Sequence, residues 1–337
     1  MIEESIMNIY DISKKSNVSI ATVSRVINGS QNVSAATRKK VLKVIEESGY
    51  KPNAFARGLG LDSMKTIGIL CVNIEDYYFS EAIYHVVKSI HRNGYDSILI
   101  FTGDSLESKS KNMESLLSKR VDGIVLLGSS YVESDDKDND YIRNAAKQVP
   151  IVMMNGYVDG ENIFCCLSDD YQAMYDVTSA LIEKQQSNLI YLYRNLNYSA
   201  RQKQKGFEDA LLAHQQEVRN YIQIPSGNVY DVKKALEELQ AKGIPVGAIL
   251  CADDEIAVGA LKYAVTHNLK VPEDISIIGY NNSKLSICTN PEITSIDPNI
   301  IDLSSLSVKM LMDSINGDIT PKKSLISAKL IKRGTTH

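Results

Sequence analysis

Apolar positions over the first fifty residues recur at helical spacing. From Asn8 to Lys15 the pair Ile9 and Ile12 follows an Asn able to cap a helix, and the polar pair Ser16-Asn17 interrupts the run. Ser19 then caps a second stretch reaching Asn28. There Val23, Val26 and Ile27 make one apolar face, while Ile20, Ala21, Thr22, Ser24 and Arg25 are left on the other. Ser34 to Glu47 carries a third helical pattern with Val41, Leu42 and Ile45 inward and Arg38, Lys39, Lys40 and Lys43 outward, and Gly49 ends it. Two short helices joined by a tight turn predict a helix-turn-helix.

From Thr66 onward the pattern alternates between β-rich apolar runs and helical stretches. The runs are Thr66 to Val72, Ser97 to Phe101, Gly123 to Leu127 and Ile151 to Met154, with helices near Ser80 to Arg92, Leu106 to Ser118 and Asp140 to Gln148. The same rhythm restarts at Leu189 to Tyr193 and continues through Tyr221 to Ile224, Ala248 to Cys251 and Ile275 to Gly279. Its helices lie near Gln202 to His214, Val229 to Lys242 and Glu255 to Asn268. Strand, helix, strand at this spacing gives a parallel sheet covered on both faces. The fold class expected is therefore α/β: an all-α helix-turn-helix head on a core of two parallel-sheet lobes, with a ligand place in the crevice between them. The expected division is a head at 1–50, a hinge and linker at 51–64, and a core at 65–337. Within the core, polar breaks near Asn155 to Ile163 and Ile293 to Asp297 suggest an N-lobe of about 65–158 plus 293–318 and a C-lobe of about 163–290 plus 319–335.

Lys51 to Leu61 joins the two parts. Pro52 opens a segment long enough for two helical turns, but so short a helix is unstable alone in water. Gly58 and Gly60 weaken it by about 1 kcal/mol each relative to Ala. It should order only when something holds it.

Charge sharpens the picture. The 337 residues carry a formal net charge of -4, yet residues 1–61 hold nine Lys plus Arg against five Asp plus Glu. A basic head on an acidic body fits nucleic-acid binding by the head. In such a unit the second helix enters the major groove N-terminus first, with Ser19, Ile20, Ala21, Thr22, Ser24, Arg25 and Asn28 in reach of bases and phosphates. The five Cys, at 71, 165, 166, 251 and 288, have no metal spacing and suit packed, reduced thiols. Neither a signal peptide nor an apolar run of membrane-helix length is present, so a cytoplasmic protein without membrane partners is expected.

Several strings carry a resemblance. Tyr10-Asp11-Ile12, Ala21-Thr-Val-Ser-Arg25, Thr37-Arg-Lys-Lys-Val41 and Tyr50-Lys-Pro-Asn53 followed by Ala56-Arg57-Gly58-Leu59 resemble, in order and spacing, the head of the LacI/GalR family of bacterial transcription regulators. The likeness continues through Lys119-Arg-Val-Asp-Gly123, Lys205-Gly-Phe207, Asp254-Glu-Ile-Ala257 and Val271-Pro-Glu-Asp-Ile275, and the head is most similar to the catabolite control protein branch. The resemblance implies a periplasmic-binding-protein-like core and a regulator, expected to be a repressor, whose affinity for operator DNA is set by a sugar or sugar phosphate. It implies that Asn53, Ala56 and Leu59 belong to a hinge helix that folds in the minor groove as a dimer pair, with Leu59 as the apolar wedge. Gly60 stands where the family usually has Ala. A homodimer is expected, and no heptad tail follows Lys329 to Lys332 to make a tetramer.

By the same resemblance the effector-facing residues fall at Tyr78, Phe79, Ser129, Asn155, Arg201, Lys203, Asp253 and Asn281, with Pro298 beside them. A sugar needs an aromatic face to stack on and Asp, Asn and Arg to bracket its hydroxyls, which Phe79, Arg201 and Asp253 would provide. Three positions depart from sugar-responsive relatives: Lys203 replaces Arg, Asn281 replaces Asp, and Pro298 replaces a hydrogen-bonding side chain. Lys lacks the planar fork of Arg. The catabolite control branch also has Lys near this position and answers mainly to a phosphorylated carrier protein docked on the N-terminal lobe. Ile83 to Arg92 and Ser283 to Ser286 are the places where such a partner would sit.

Other chemistry finds less support. Asp253-Asp254-Glu255 lies at a strand end where Asp254 can cap the following helix, and no further carboxylate cluster accompanies it, so no metal or cofactor is expected. Gly58-x-Gly60 precedes the first strand, the wrong side for a dinucleotide fingerprint. None of the five His has a nucleophile or second His at motif spacing, so the chain is not read as an enzyme.

Overall fold

The computed structural model describes residues 7–27, 30, 32–50, 63–217 and 221–337. The chain divides into two units, Met1–Thr66 and Ile67–His337. Three helices make the first unit: α1 (Ile9–Ser16), α2 (Ile20–Ile27) and α3 (Ala35–Ser48). Asn8 caps α1 by accepting the amides of Tyr10 and Asp11, and the Asp11 carboxylate returns to the Asn8 amide at 2.9 Å, which completes a capping box. Asn17, left-handed at φ 48°, turns the chain toward α2. Ile12, Val23, Val26 and Val41 are buried together, with Ile9, Val18, Ile27, Val44 and Ile45 packed against them. Leu42, expected inward, is 47% exposed. The buried stripe of α3 runs through 41, 44 and 45, and residue 42 lies about 100° around the helix from Val41.

The second unit holds two six-stranded sheets. The first contains β1 (Thr66–Cys71), β2 (Asp96–Phe101), β3 (Gly123–Leu127), β4 (Ile151–Met154), β5 (Ile163–Ser168) and β11 (Lys323–Ile326), in the order β11-β5-β4-β3-β1-β2. The second contains β6 (Leu189–Tyr193), β7 (Tyr221–Gln223), β8 (Ala248–Cys251), β9 (Ser276–Tyr280), β10 (Thr294–Asp297) and β12 (Lys329–Ile331), in the order β12-β10-β9-β8-β6-β7. β10 and β12 run antiparallel, while β3, β4, β5 and β11 form a parallel series, as do β6, β8, β9 and β10.

Helices cover both faces, which is why β3, β4, β8 and β9 are buried at every residue. On the first sheet, α4 (Tyr77–Arg92) and α12 (Ile300–Ile315) bury Val86, Ile90, Leu303 and Leu311 on one side. α5 (Leu106–Ser118) and α6 (Asp140–Ala146) bury Leu116 and Ile142 on the other. On the second sheet, α9 (Val229–Ala241) and α10 (Asp254–Thr266) supply Leu236 and Ala260 to one face. α7 (Asp170–Glu183) and α8 (Tyr198–Ala213) supply Leu181, Phe207 and Leu211 to the opposite one. A short α11 (Lys284–Ile287) follows β9.

The lobe boundaries differ from the expectation. Ile163–Ser168, assigned by sequence to the C-lobe, is β5 and pairs with β4 and β11 in the first sheet. Thr294–Asp297, assigned to the N-lobe, is β10 of the second sheet, and Lys323–Ile326 belongs to the first. The chain therefore crosses between the lobes after β5, after β10 and between β11 and β12. The polar break at 155–162 is a connection inside the first lobe, because sheet membership is set by non-local pairing that an apolar run does not reveal.

Cys71, Cys165, Cys166 and Cys251 are buried, and burial pushes the thiols of Cys71, Cys165 and Cys166 up to about 11. Cys288, expected to be packed, is exposed beside α11. Among the described residues no helix is long and apolar enough to cross a membrane.

Candidate functional site

The head presents one face of α2. Val23 and Val26 are buried, whereas Ser19, Ile20, Ala21 and Arg25 are exposed and Thr22 and Ser24 are half-buried. Ser19 starts the helix, its Oγ accepting the Thr22 amide at 3.2 Å. Ile20 is an apolar side chain 40% exposed in the first helical turn. Lys39, Lys40 and Lys43 are exposed on α3, and Arg38 donates to the Ser30 carbonyl. Asn28, Asn53, Ala56 and Leu59 lie outside the described residues.

The core contains a second site, a cavity of about 480 Å³ at the C-terminal ends of the strands of both sheets. That is where an open α/β sheet places ligand groups, since the chain leaves each strand there with its backbone polar groups unpaired. Of the residues expected to face an effector, Tyr78, Phe79, Ser129, Asn155, Lys203, Asp253 and Asn281 line this cavity, with Pro298. Arg201 does not; it is exposed on α8 away from the lining. Two turns of α8 carry Tyr198 to Lys203, and the rotation that buries Lys203 turns Arg201 outward.

The first lobe builds its wall around Asn155. This residue, left-handed at φ 58°, donates from Nδ2 to the Tyr78 hydroxyl at 2.7 Å and accepts the Ser168 amide at 2.8 Å. Tyr78 stands edge-on to Phe79, ring centroids 5.4 Å apart. Gly128, at φ 99°, leaves space for the Phe79 ring, since a Cβ there would come within 2.4 Å of it. Burial pushes the Tyr78 hydroxyl far above its usual range, so it stays protonated. Asp76 caps α4 by accepting the Tyr78 amide at 2.9 Å, and its carboxyl is raised first by burial and then by Asp253.

The second lobe supplies the ionic wall. Arg194 follows β6 and donates from Nε to Asp253 and from Nη2 to Glu255, both at 2.6 Å. Asp253, not Asp254, caps α10, accepting the Ile256 amide at 2.8 Å. Asp254 points into the lobe, accepting the Ser283 amide and the Ser295 hydroxyl at 2.6 Å each. Asp253 and Glu255 thus share Arg194, while Asp254 turns away to Ser283 and Ser295. Lys203 is buried, lies 3.5 Å above the Tyr280 ring and donates to the Ala252 carbonyl at 3.1 Å. Burial lowers its pKa, against the raising effect of Asp170, Asp253 and Asp76. Asp170 accepts the Tyr280 hydroxyl at 2.6 Å and the Ser199 hydroxyl.

Sequence reasoning missed Arg194, Asp76, Asp170 and Tyr280 as lining residues. A signal existed for Arg194, the first residue past the apolar run Leu189–Tyr193 and so at a strand's C-terminal end. Ser283 to Ser286, named as a place for a partner protein, lies on the second lobe with Ser283 and Ser286 buried, so it offers no such surface on the first. Ile83 to Arg92 does present a face: Ile83, Tyr84, Val87, Lys88, His91 and Arg92 line an open shallow groove on α4.

Residues 8–53 match the family described as bacterial regulatory proteins, lacI family, and residues 178–336 match a periplasmic binding protein-like domain. An HTH-type transcriptional regulator of Lachnoclostridium phytofermentans is 47% identical over 332 residues, covering 98% of this chain and all of the relative. Catabolite control protein A of Priestia megaterium is 30% identical over 314 residues, 92% of this chain and 93% of that protein. Among solved structures, the lac repressor dimer bound to operator and the anti-inducer ONPF superposes with a TM-score of 0.87 at 25% identity, covering 98% and 99% of the two chains.

Proposed function

The chain belongs to the lacI family of bacterial regulatory proteins and is a DNA-binding transcriptional regulator, not an enzyme, and from that premise we propose that it is a homodimeric repressor controlled by a sugar-like effector held between its two core lobes. The observation that carries the effector reading is the composition of the 480 Å³ cavity. Phe79 offers a ring face, and Asn155, Lys203, Asp253 and Asn281 bring hydrogen-bonding groups from both lobes, the combination that a polyhydroxylated ligand requires.

On the DNA side, α2 carries the direct readout. Arg25 is the side chain able to make a bidentate contact with guanine, Ile20 and Ala21 suit apolar contact with a thymine methyl, and Ser19, Thr22 and Ser24 reach phosphates. One such head is too small to bind tightly alone, and a two-fold pair doubles the contacts and fixes the half-site spacing. The groove of Ile83, Tyr84 and Val87 on α4 supports a partner on the first lobe, which we assign to the second protomer. The basic Lys88, His91 and Arg92 along its edge favour, as a second reading, an acidic or phosphorylated carrier protein on the same face.

The test is selection of a binding site from random duplex DNA by the full chain, followed by titration of that site with and without sugars. A near-palindromic site whose affinity changes with one sugar supports the proposal. Enrichment of no sequence, or a monomer by light scattering at micromolar concentration, overturns it.

A further inference from the structure

The cavity is lopsided in charge. Glu75, Asp76, Asp104, Asp170, Asp253 and Glu255 line it against two cations, Arg194 and Lys203. Both cations are already engaged. Arg194 is bound to Asp253 and Glu255 and donates from Nη1 to the Ser226 carbonyl at 3.1 Å. Lys203 is buried over the Tyr280 ring and donates to the Ala252 carbonyl.

Three helix N-termini at the cavity, the other usual source of anion affinity, are capped by the protein's own side chains. α4, α8 and α10 begin at this cavity, and their first amides are taken by the side chains of Asp76, Asn197 and Asp253. Each of these caps takes one of the amides that could otherwise cradle a phosphate. Ionised carboxylates accept and never donate, and so do the oxygens of a phosphate, so the two meet with like charge and no proton between them. Hydroxyls and amines have the opposite complementarity.

Resting on the reading of this cavity as the effector site, we propose that its ligand is rich in hydroxyl or amine donors and carries no negative charge, so that sugar phosphates are excluded. Asp76 and Asp253 are the discriminating pair. They come from different lobes, and a donor ligand placed against both relieves their mutual repulsion, whereas an anion adds to it.

Two arms test this on the full chain. In the first, thermal shift and calorimetry at constant ionic strength compare glucose, glucosamine and glucose 6-phosphate, then the galactose and cellobiose series treated alike. A sugar that binds should weaken by at least about tenfold as its phosphate and hold or gain affinity as its amine. A phosphate ester that binds more tightly than its parent overturns the proposal.

The second arm needs no ligand. Burial and Asp253 raise the Asp76 carboxyl above its unfolded value, while Arg194 and Lys203 act against them. The charged form therefore costs stability at neutral pH. Asp76→Asn keeps a good helix cap and removes the charge, so it should raise the melting temperature at pH 7, with the gain shrinking as pH falls toward the carboxylate range. A fall or no change at pH 7 overturns the charge proposal even if sugars bind. A gain at pH 7 together with binding of no sugar or amino sugar in the first arm overturns the proposal along with the sugar reading on which it rests.

Discussion

Replacing Arg194 by Met tests whether the ionic wall of the cavity is structural as well as receptive. Arg194 ties the end of β6 to the start of α10 through Asp253 and Glu255, and to the β7–α9 loop through Ser226. Side-chain exposure is 27% for Arg194, 12% for Asp253 and 44% for Glu255. Breaking a fully buried pair costs about 3–5 kcal/mol because a charge is stranded. An exposed pair contributes less than about 1 kcal/mol. Here the stranded group is Asp253, left with the Ile256 amide alone, and its partial burial puts the loss near 2 kcal/mol, between those limits. For a unit of this size that is a fall of about 4–8 °C in melting temperature. Circular dichroism on the full chain reads it, and adding Asp253→Asn in the same background should restore part of the loss, since the charge left behind is then gone. Gly227→Ala should reproduce the defect, because a Cβ at that position, φ 59°, would lie 2.0 Å from the Arg194 guanidinium carbon. An Arg194→Met protein melting within about 1 °C of wild type would show that solvent already satisfies Asp253, and the reasoning would fail.

Further outcomes are expected elsewhere in the chain. Ile12→Ala removes a fully buried side chain from the small core of the head, at a cost of about 2–5 kcal/mol, most of what so small a unit has; DNA binding should be lost at 37 °C while the melting of the core stays unchanged, and retained binding would refute this. Arg25→Ala should cost on the order of 1–3 kcal/mol at one base pair of the selected site, whereas Lys40→Ala should weaken specific and random DNA alike and flatten the salt dependence; gel shifts at several salt concentrations separate the two. Asp254 is pushed up to about 6, chiefly by burial and despite bonds from Ser295 and Ser283. Between the ordinary carboxylate range near 4 and about 6 the folded chain keeps a proton that the unfolded chain releases, so this group removes stability as pH rises through that window and no more above it. Relative to wild type, Asp254→Asn should therefore gain stability from pH 4 to pH 6, and parallel unfolding curves across that range would count against the assignment.

The sequence was most informative where local pattern and burial coincide. β3, β4, β8 and β9 were legible because helices cover both faces and every residue is apolar or small. Helix starts were less so: the helix expected from Ser80 begins at Tyr77, and that expected from Gln202 begins at Tyr198, each capped by a polar residue, Asp76 and Asn197, that also faces the cavity. The exchange of strands between lobes was not legible, since nothing in Ile163–Ser168 states that it pairs with Ile151–Met154 and not with the sheet that follows. The cavity followed the same division. Residues placed by motif, such as Tyr78, Asn155, Lys203 and Asp253, converge, while Arg201 and Arg194 exchanged roles because helical rotation and a strand end decide which of them faces inward.

The crossings between lobes bear directly on how an effector could be felt. The first runs from Ser168 to Asp170 and the second from Asp297 to Asn299, and Asp170 and Pro298 line the cavity. The third joins Ile326 to Lys329 and is bonded to the first, the Asp169 amide donating to the Ile326 carbonyl at 2.8 Å. The second is fixed at its own end, with Asp297 accepting the Asn299 amide at 2.7 Å and Asn282 Nδ2 at 3.1 Å. A ligand touching Asp170 and Pro298 thus contacts the segments through which one lobe can turn on the other, as well as the lobes themselves. Its power over DNA affinity is still bounded, because a ligand shifts an equilibrium only by the difference in its affinity for the two lobe arrangements, and DNA must alter effector affinity by the same factor. Tight contacts confined to one wall, such as Phe79 with Asn155, raise affinity in both arrangements and transmit nothing. Under the proposed effector control, contacts that bridge Asp76 and Asp253, or bear on the crossings, are the ones whose strength would change with lobe separation and so would carry the signal.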